Sequence, residues 1–216
     1  MTLIRFFFII VLLIAGTAYA QSASAQSQTF DFKIYRGSGE IGTHVVKVVE
    51  EGNRTTTEVD INLKVKVAFI TLYTYEHRAT EIREDGKLIS LSSKTDDNGT
   101  KYWTEAIREG DEIKSKSNEG EFTLPGHVIP TTYWSYQTAS QSEFLDSQTG
   151  QLWQLQIEKM GVENVTTLGG EIKATRYQMS GDQNLDIWYT DEGNWVKLAF
   201  DYLGSTFEYK LQSPPS

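Results

Sequence analysis

His44, His77 and His127 are the only imidazoles in the chain, and cysteine is absent. That stock restricts the chemistry, because thiolate nucleophiles are missing and the common nitrogen and sulfur metal sites lack ligands. Tyr75-Glu76-His77-Arg78 places a base among charged neighbours on one extended segment. A general acid–base pair must converge on one reacting atom, whereas adjacent strand positions point apart. His77 therefore shares a face with Tyr73 and Tyr75, and Glu76 shares the other with Arg78; the spacing reads as cross-strand pairing. His127, between Pro125 and Pro130 beside an aromatic cluster, is the histidine to test first as a ligand contact, although an exposed loop residue is the favoured reading. No G-x-S-x-G elbow accompanies the many serines and aspartates. Asp96-Asp97-Asn98-Gly99 lacks the alternating ligands and terminal Glu of a calcium loop, so it is a turn. Neither a catalytic residue nor a metal or cofactor site is expected.

Aromatic residues offer a different chemistry, the stacking and burial of an apolar or sugar-like ligand. Tyr133, Trp134 and Tyr136 fall in one short interval, and Trp188 and Tyr189 lie on a later strand-like run. The first three would line or gate a cavity, with the last two as its opposite wall. Aromatics also fill β interiors, which is the competing account.

These residues must be positioned by strands. Along Thr55–Val67, Val59, Ile61, Leu63, Val65 and Val67 alternate with Glu58, Asp60, Asn62, Lys64 and Lys66. Only a period of two separates charge from apolar surface this cleanly. Similar runs cover 30–35, 70–84, 88–94, 102–107, 152–159, 172–179, 185–190, 195–202 and 206–211. Asp85-Gly86 and Asn98-Gly99 between them are tight-hairpin signals. The pattern predicts an all-β protein: a curved antiparallel sheet or barrel of about ten strands, with a two-sheet sandwich as the second choice. A short helical insert is expected at about 130–149. Thr131 would cap its first part, and Ser140-Gln141-Ser142-Glu143 would form a capping box.

Residues 1–20 carry Arg5, an apolar run from Phe6 to Ile14 and the small-residue site Ala18-Tyr19-Ala20, the order of a secretory signal peptide. Cleavage after residue 25 is the alternative. Residues 21–29 read as a disordered tail, 30–211 as a single β domain and 212–216 as a C-terminal tail. The expected location is bacterial periplasm or the exterior. No cysteine is available for a lipoprotein anchor, and no integral membrane segment is expected after cleavage. Removing 1–20, which hold one base and no acid, takes the net charge from −9 to −10. Such a surface disfavours nucleic acid and anionic headgroups as partners.

Gly39-Glu40-Ile41-Gly42-Thr43-His44, Thr131-Thr132-Tyr133-Trp134, Thr149-Gly150, Asp186-Ile187-Trp188-Tyr189 and Gly193-Asn194-Trp195-Val196-Lys197-Leu198 follow one another in an order that resembles a family of exported bacterial proteins known only as a domain of unknown function. The resemblance covers about 30–211. More distantly, the terminal hairpin is similar to lipoprotein-carrier half-barrels. The resemblance implies export and an antiparallel β fold, and supplies no catalytic residues; the carrier likeness implies an apolar cavity for acyl chains. The expectation is therefore a non-enzymatic protein that binds a lipid or other apolar ligand. The alternative is a structural or interaction protein of the cell envelope with a packed core and a protein partner.

Overall fold

The period of two resolves into fifteen strands in the computed structural model, which describes residues 25–202 and 204–213. In chain order they are β1 (Gln26–Arg36), β2 (Gly39–Glu51), β3 (Arg54–Val67), β4 (Ile70–Glu84), β5 (Lys87–Asp97), β6 (Thr100–Glu109), β7 (Glu112–Ser117) and β8 (Gly120–Pro125). There follow β9 (Ile129–Pro130), β10 (Glu143–Leu145), β11 (Leu152–Thr167), β12 (Gly170–Gly181), β13 (Leu185–Tyr189), β14 (Trp195–Tyr202) and β15 (Ser205–Leu211). The expected signal peptide, 1–20, and residues 21–24 lie outside the described residues.

All fifteen strands form one sheet, in the order β8-β7-β6-β5-β4-β3-β2-β1-β15-β14-β13-β12-β11-β10-β9. Every pairing is antiparallel except β9 with β10. Two meanders meet where the first strand pairs with the last, Phe32 opposite Leu211 and Arg36 opposite Phe207. Asp85-Gly86 and Asn98-Gly99 have positive φ at both positions, the two-residue turn that matches strand twist. The sheet does not close. Its outer strands, β8 and β9, are linked through 126–128 without pairing.

The apolar positions of β1, β2 and β3 (Phe30, Phe32, Val46, Val48, Val59) join Tyr189, Trp195, Val196 and Leu198 in one core. The segment between β9 and β11 contacts β4, β7, β12 and β13. Strands so distant in the sheet order can touch one short segment only if the sheet curls around it. That segment is the plug.

The expectation of about ten strands is corrected to fifteen. β7 escapes a hydrophobic reading because two of its three interior positions, Ser115 and Ser117, are polar beside Ile113. The helical insert is corrected to a single five-residue 3-10 turn, Tyr136–Ser140, capped by Ser135, whose Oγ accepts from the Gln137 N–H at 3.3 Å. Thr131 caps nothing, because its hydroxyl pairs with Ser147, and the residues of the expected capping box lead into β10. Tertiary bonds outweighed local capping preference. Strand pairing also starts earlier than expected, at Gln26 opposite Glu50. β11 runs on past the expected end at residue 159 through a bulge at Gly161, where the register shifts between Lys159 and Gly161.

Candidate functional site

Where the plug meets the sheet, the interior is polar. On β4 the period of two puts His77, Ala79, Glu81 and Arg83 on the inward face. Glu81 is 0% and Arg83 3% exposed, and they form an ion pair through Arg83 Nε. A buried pair survives only if its remaining polar atoms are also satisfied. The plug supplies these partners. Thr132 Oγ1 donates to Glu81 Oε2 at 2.7 Å, Trp134 Nε1 donates to the same oxygen at 3.2 Å, and Arg83 Nη1 donates to Gln137 Oε1 at 2.7 Å. The guanidinium carbon stands 4.8 Å from the Trp134 ring centre. The pair is thus completed by the plug, and the plug is anchored by the pair.

A second set of bonds runs across β4 to β7. Ser93 donates to the carbonyl of Ser147, Thr104 Oγ1 to that of Gln148 at 3.0 Å, and Ser117 Oγ to that of Thr149 at 2.6 Å. The Tyr75 hydroxyl donates to Gln148 Oε1 at 2.9 Å. Short hydroxyl side chains at these inward positions leave room for backbone and satisfy it. Asp146 shapes this stretch by accepting from the Thr149 N–H at 3.0 Å and the Thr149 hydroxyl at 2.5 Å. Burial pushes its carboxyl pKa up, against those hydrogen bonds. Gly150 closes the stretch at φ +76, where a Cβ would fall 2.6 Å from Ser115 Oγ. Gly150→Ala is therefore expected to cost about 2 kcal/mol or more, from left-handed backbone and overpacking together. A urea titration checks this; an unchanged midpoint would mean the plug rests on the sheet more loosely than described.

His77 joins this network: Nδ1 lies 2.8 Å from Thr95 Oγ1 and Nε2 3.5 Å from Ser147 Oγ. Burial holds its pKa down to about 4. A serine beside an imidazole invites comparison with a nucleophile and base. Here both are buried, the imidazole is backed by a threonine instead of a carboxylate, and the serine contact is long. The arrangement is a staple. His44, on β2 and across Ile61 from His77, is 3% exposed, and neither ring nitrogen has a partner. It lies edge-on to Trp195 and Tyr209 at 5.3 and 5.6 Å. Burial, with His77 nearby, lowers its pKa to about 3.

The sequence-derived ligand residues separate. Tyr133, Tyr136 and Tyr189 come together, with Tyr189 donating to the Tyr133 carbonyl at 2.6 Å and its ring 5.4 Å from Tyr136. Tyr136 also shares a hydrogen bond with Tyr177, 2.7 Å between oxygens. Trp134 faces the ion pair. Trp188, one residue before Tyr189, points to the other face of the sheet, where Nε1 donates to Glu163 at 2.6 Å beneath Arg176 and Lys197. His127 is exposed and pairs with Glu143 at 2.8 Å. Glu81, Arg83 and the hydroxyl row are interior residues that composition does not mark. Charge and small size make such residues look solvated, and only the period of two running on from His77 groups Glu81 and Arg83 with the interior.

The space under the plug is occupied by side chains, Tyr189 and Trp195 among the fully buried ones. On the outward face of β2 to β6 an open groove of about 890 Å³ is lined by Lys47, Glu58, Asp60, Arg78 and Lys94. Among the described residues no three His, Asp or Glu side chains gather as a metal site, and no helix is long and apolar enough to cross a membrane.

No curated protein matches this sequence. Among solved structures, the chain is similar to a β-barrel-like protein of domain of unknown function DUF1849 from Brucella abortus. The TM-score is 0.64 at 11% identity, over 87% of this chain and 96% of that one, a likeness of fold alone. Residues 32–212 match the family described as domain of unknown function DUF6134, nearly the whole β sheet, and the chain belongs to that family.

Proposed function

We propose that this is an exported protein of the bacterial envelope that acts by binding, through its outer surface, while its interior is filled by its own plug. The observation that carries the reading is the Glu81–Arg83 pair completed by Thr132, Trp134 and Gln137. Any ligand entering there would have to displace those partners and leave a buried ion pair unsatisfied. The hydroxyls of Ser93, Thr104 and Ser117 are likewise spent on plug carbonyls, so the curled sheet is a rigid scaffold for its outward face. The charged groove across β2 to β6 suits a polar protein partner.

A second reading, a lipid or apolar ligand beneath the plug, is favoured by one observation. Tyr133 holds φ +59, a strained backbone for a bulky residue, at the centre of the aromatic group. Native mass spectrometry of protein taken from a periplasmic extract separates the two. The first reading expects a ligand-free mass and, after cross-linking, a partner attached through Lys47 or Lys94. A co-purifying lipid released by denaturation, and lost in Trp134→Ala, would overturn it in favour of the second.

A further inference from the structure

The β3–β4 hairpin carries apolar surface that the sheet does not use. β3 pairs with β2 only as far as Leu63, opposite Gly42, and β4 pairs with β5 only from Tyr75, opposite Asp97. Beyond those positions, apart from the bonds of Thr74 with Asn98 in the β5–β6 turn, the two strands pair with each other alone, as a finger of four or five residues per strand projecting about 15 Å. At its end Phe69 is fully exposed, and Ile70 and Leu72 are 67% and 55% exposed. A two-stranded ribbon that buries Val65 but leaves Phe69, Ile70 and Leu72 in water is marginal and calls for an apolar contact.

The order of chemistry along the finger selects the contact. Phe69 and Ile70 form the tip, and the exposed Lys64 and Lys66 stand behind it. Behind these, Tyr73 donates its hydroxyl to Asp97 at 2.7 Å. Tyr202, on the β14–β15 hairpin, is near enough to Tyr73 to influence its ionisation and is itself exposed. Residues 61–75 contain no acid, in a chain with 29 acids and 20 bases. An apolar point, a cationic collar and phenols at the base follow the layers of a bilayer surface: acyl boundary, phosphate, interface. A protein pocket for the tip would not require the lysines.

We propose that this finger docks the protein reversibly on an anionic lipid surface, Phe69 and Ile70 entering the acyl boundary while Lys64 and Lys66 meet headgroup phosphates. The overall negative charge disfavours such a surface, so contact is confined to this locally basic point and is shallow. The inference takes from the proposed export only the place where a bilayer is met; vesicle binding tests it independently of any protein partner.

The absence of cysteine makes a direct test available. A single Thr71→Cys, carrying an environment-sensitive fluorophore, reports burial of the finger, and Gln178→Cys on β12 serves as a control. With phosphatidylethanolamine–phosphatidylglycerol vesicles, the label at 71 is expected to shift to the blue and the label at 178 to stay unchanged. Phe69→Ser with Ile70→Ser is expected to lower vesicle co-sedimentation at least tenfold, and Lys64→Gln with Lys66→Gln several-fold, with the thermal midpoint retained. Binding that survives the serine variant would overturn the proposal. So would self-association without lipid that this variant abolishes, which would make the tip a contact between copies of the chain.

Discussion

Glu81→Ala is expected to destabilise the protein by about 3–5 kcal/mol, among the largest effects available to a single substitution here. It leaves Arg83 charged and 3% exposed without a carboxylate, and it strips Thr132 and Trp134 of their acceptor. The loss should be local before it is global. Backbone amides of the plug, from 131 to 150, should exchange faster with solvent than those of β1, β2 and β15, because the pair is the plug's deepest anchor. Replacing both partners, Glu81→Leu with Arg83→Met, should recover much of the lost stability, since a buried pair contributes little net energy over an apolar pair of similar size. Denaturant titrations of the wild type, single and double variants make the comparison. A single variant within about 1 kcal/mol of wild type would mean that water reaches Arg83 and that the plug does not seal the pair.

The second large effect is acid sensitivity. His44 and His77 are held neutral by burial, with pKa values of about 3 and about 4 against the ordinary 6.5. Below about pH 6.5 the unfolded chain takes up a proton at each, while the folded chain does not until much lower pH. Stability from these two groups is therefore complete above pH 6.5 and is lost as the pH falls towards 4 and then 3. At pH 4.5 the loss amounts to about 5 kcal/mol for the pair. Asp146 acts in the opposite direction, because burial raises its pKa, so the variants isolate the histidines better than the wild-type curve does. His44→Leu should be close to neutral or stabilising at pH 7, since it removes two buried nitrogens that have no partner. It should also lower the slope of stability against pH between 4.5 and 6 by about one proton. Urea titrations at several pH values read both quantities. An unchanged slope would show that the His44 imidazole is already protonated when folded.

Much of the fold was written in local pattern. Alternation of Val59, Ile61, Leu63 and Val65 with charged and polar residues specifies β3, and β14 runs from Trp195 to Tyr202 as its apolar spacing requires. Asp85-Gly86 and Asn98-Gly99 marked hairpins because few other pairs accept positive φ at both positions. Such features depend on neighbours in sequence, so they can be read there. The plug cannot. Ser140-Gln141-Ser142-Glu143 satisfies the local rules for starting a helix, yet β10 forms because Phe144 and Leu145 find strand partners in Trp153 and Leu152 and complete burial in the core. Glu81 and Arg83 look solvated by composition and become interior because Thr132, Trp134 and Gln137, more than fifty residues away, supply their hydrogen bonds. Trp188 and Tyr189 were adjacent in sequence and parted by the pleat, one to each face. Local periodicity decides which residues extend and which face each takes; which face becomes interior, and what fills it, depends on bonds between distant segments that form only when the sheet curls around the plug.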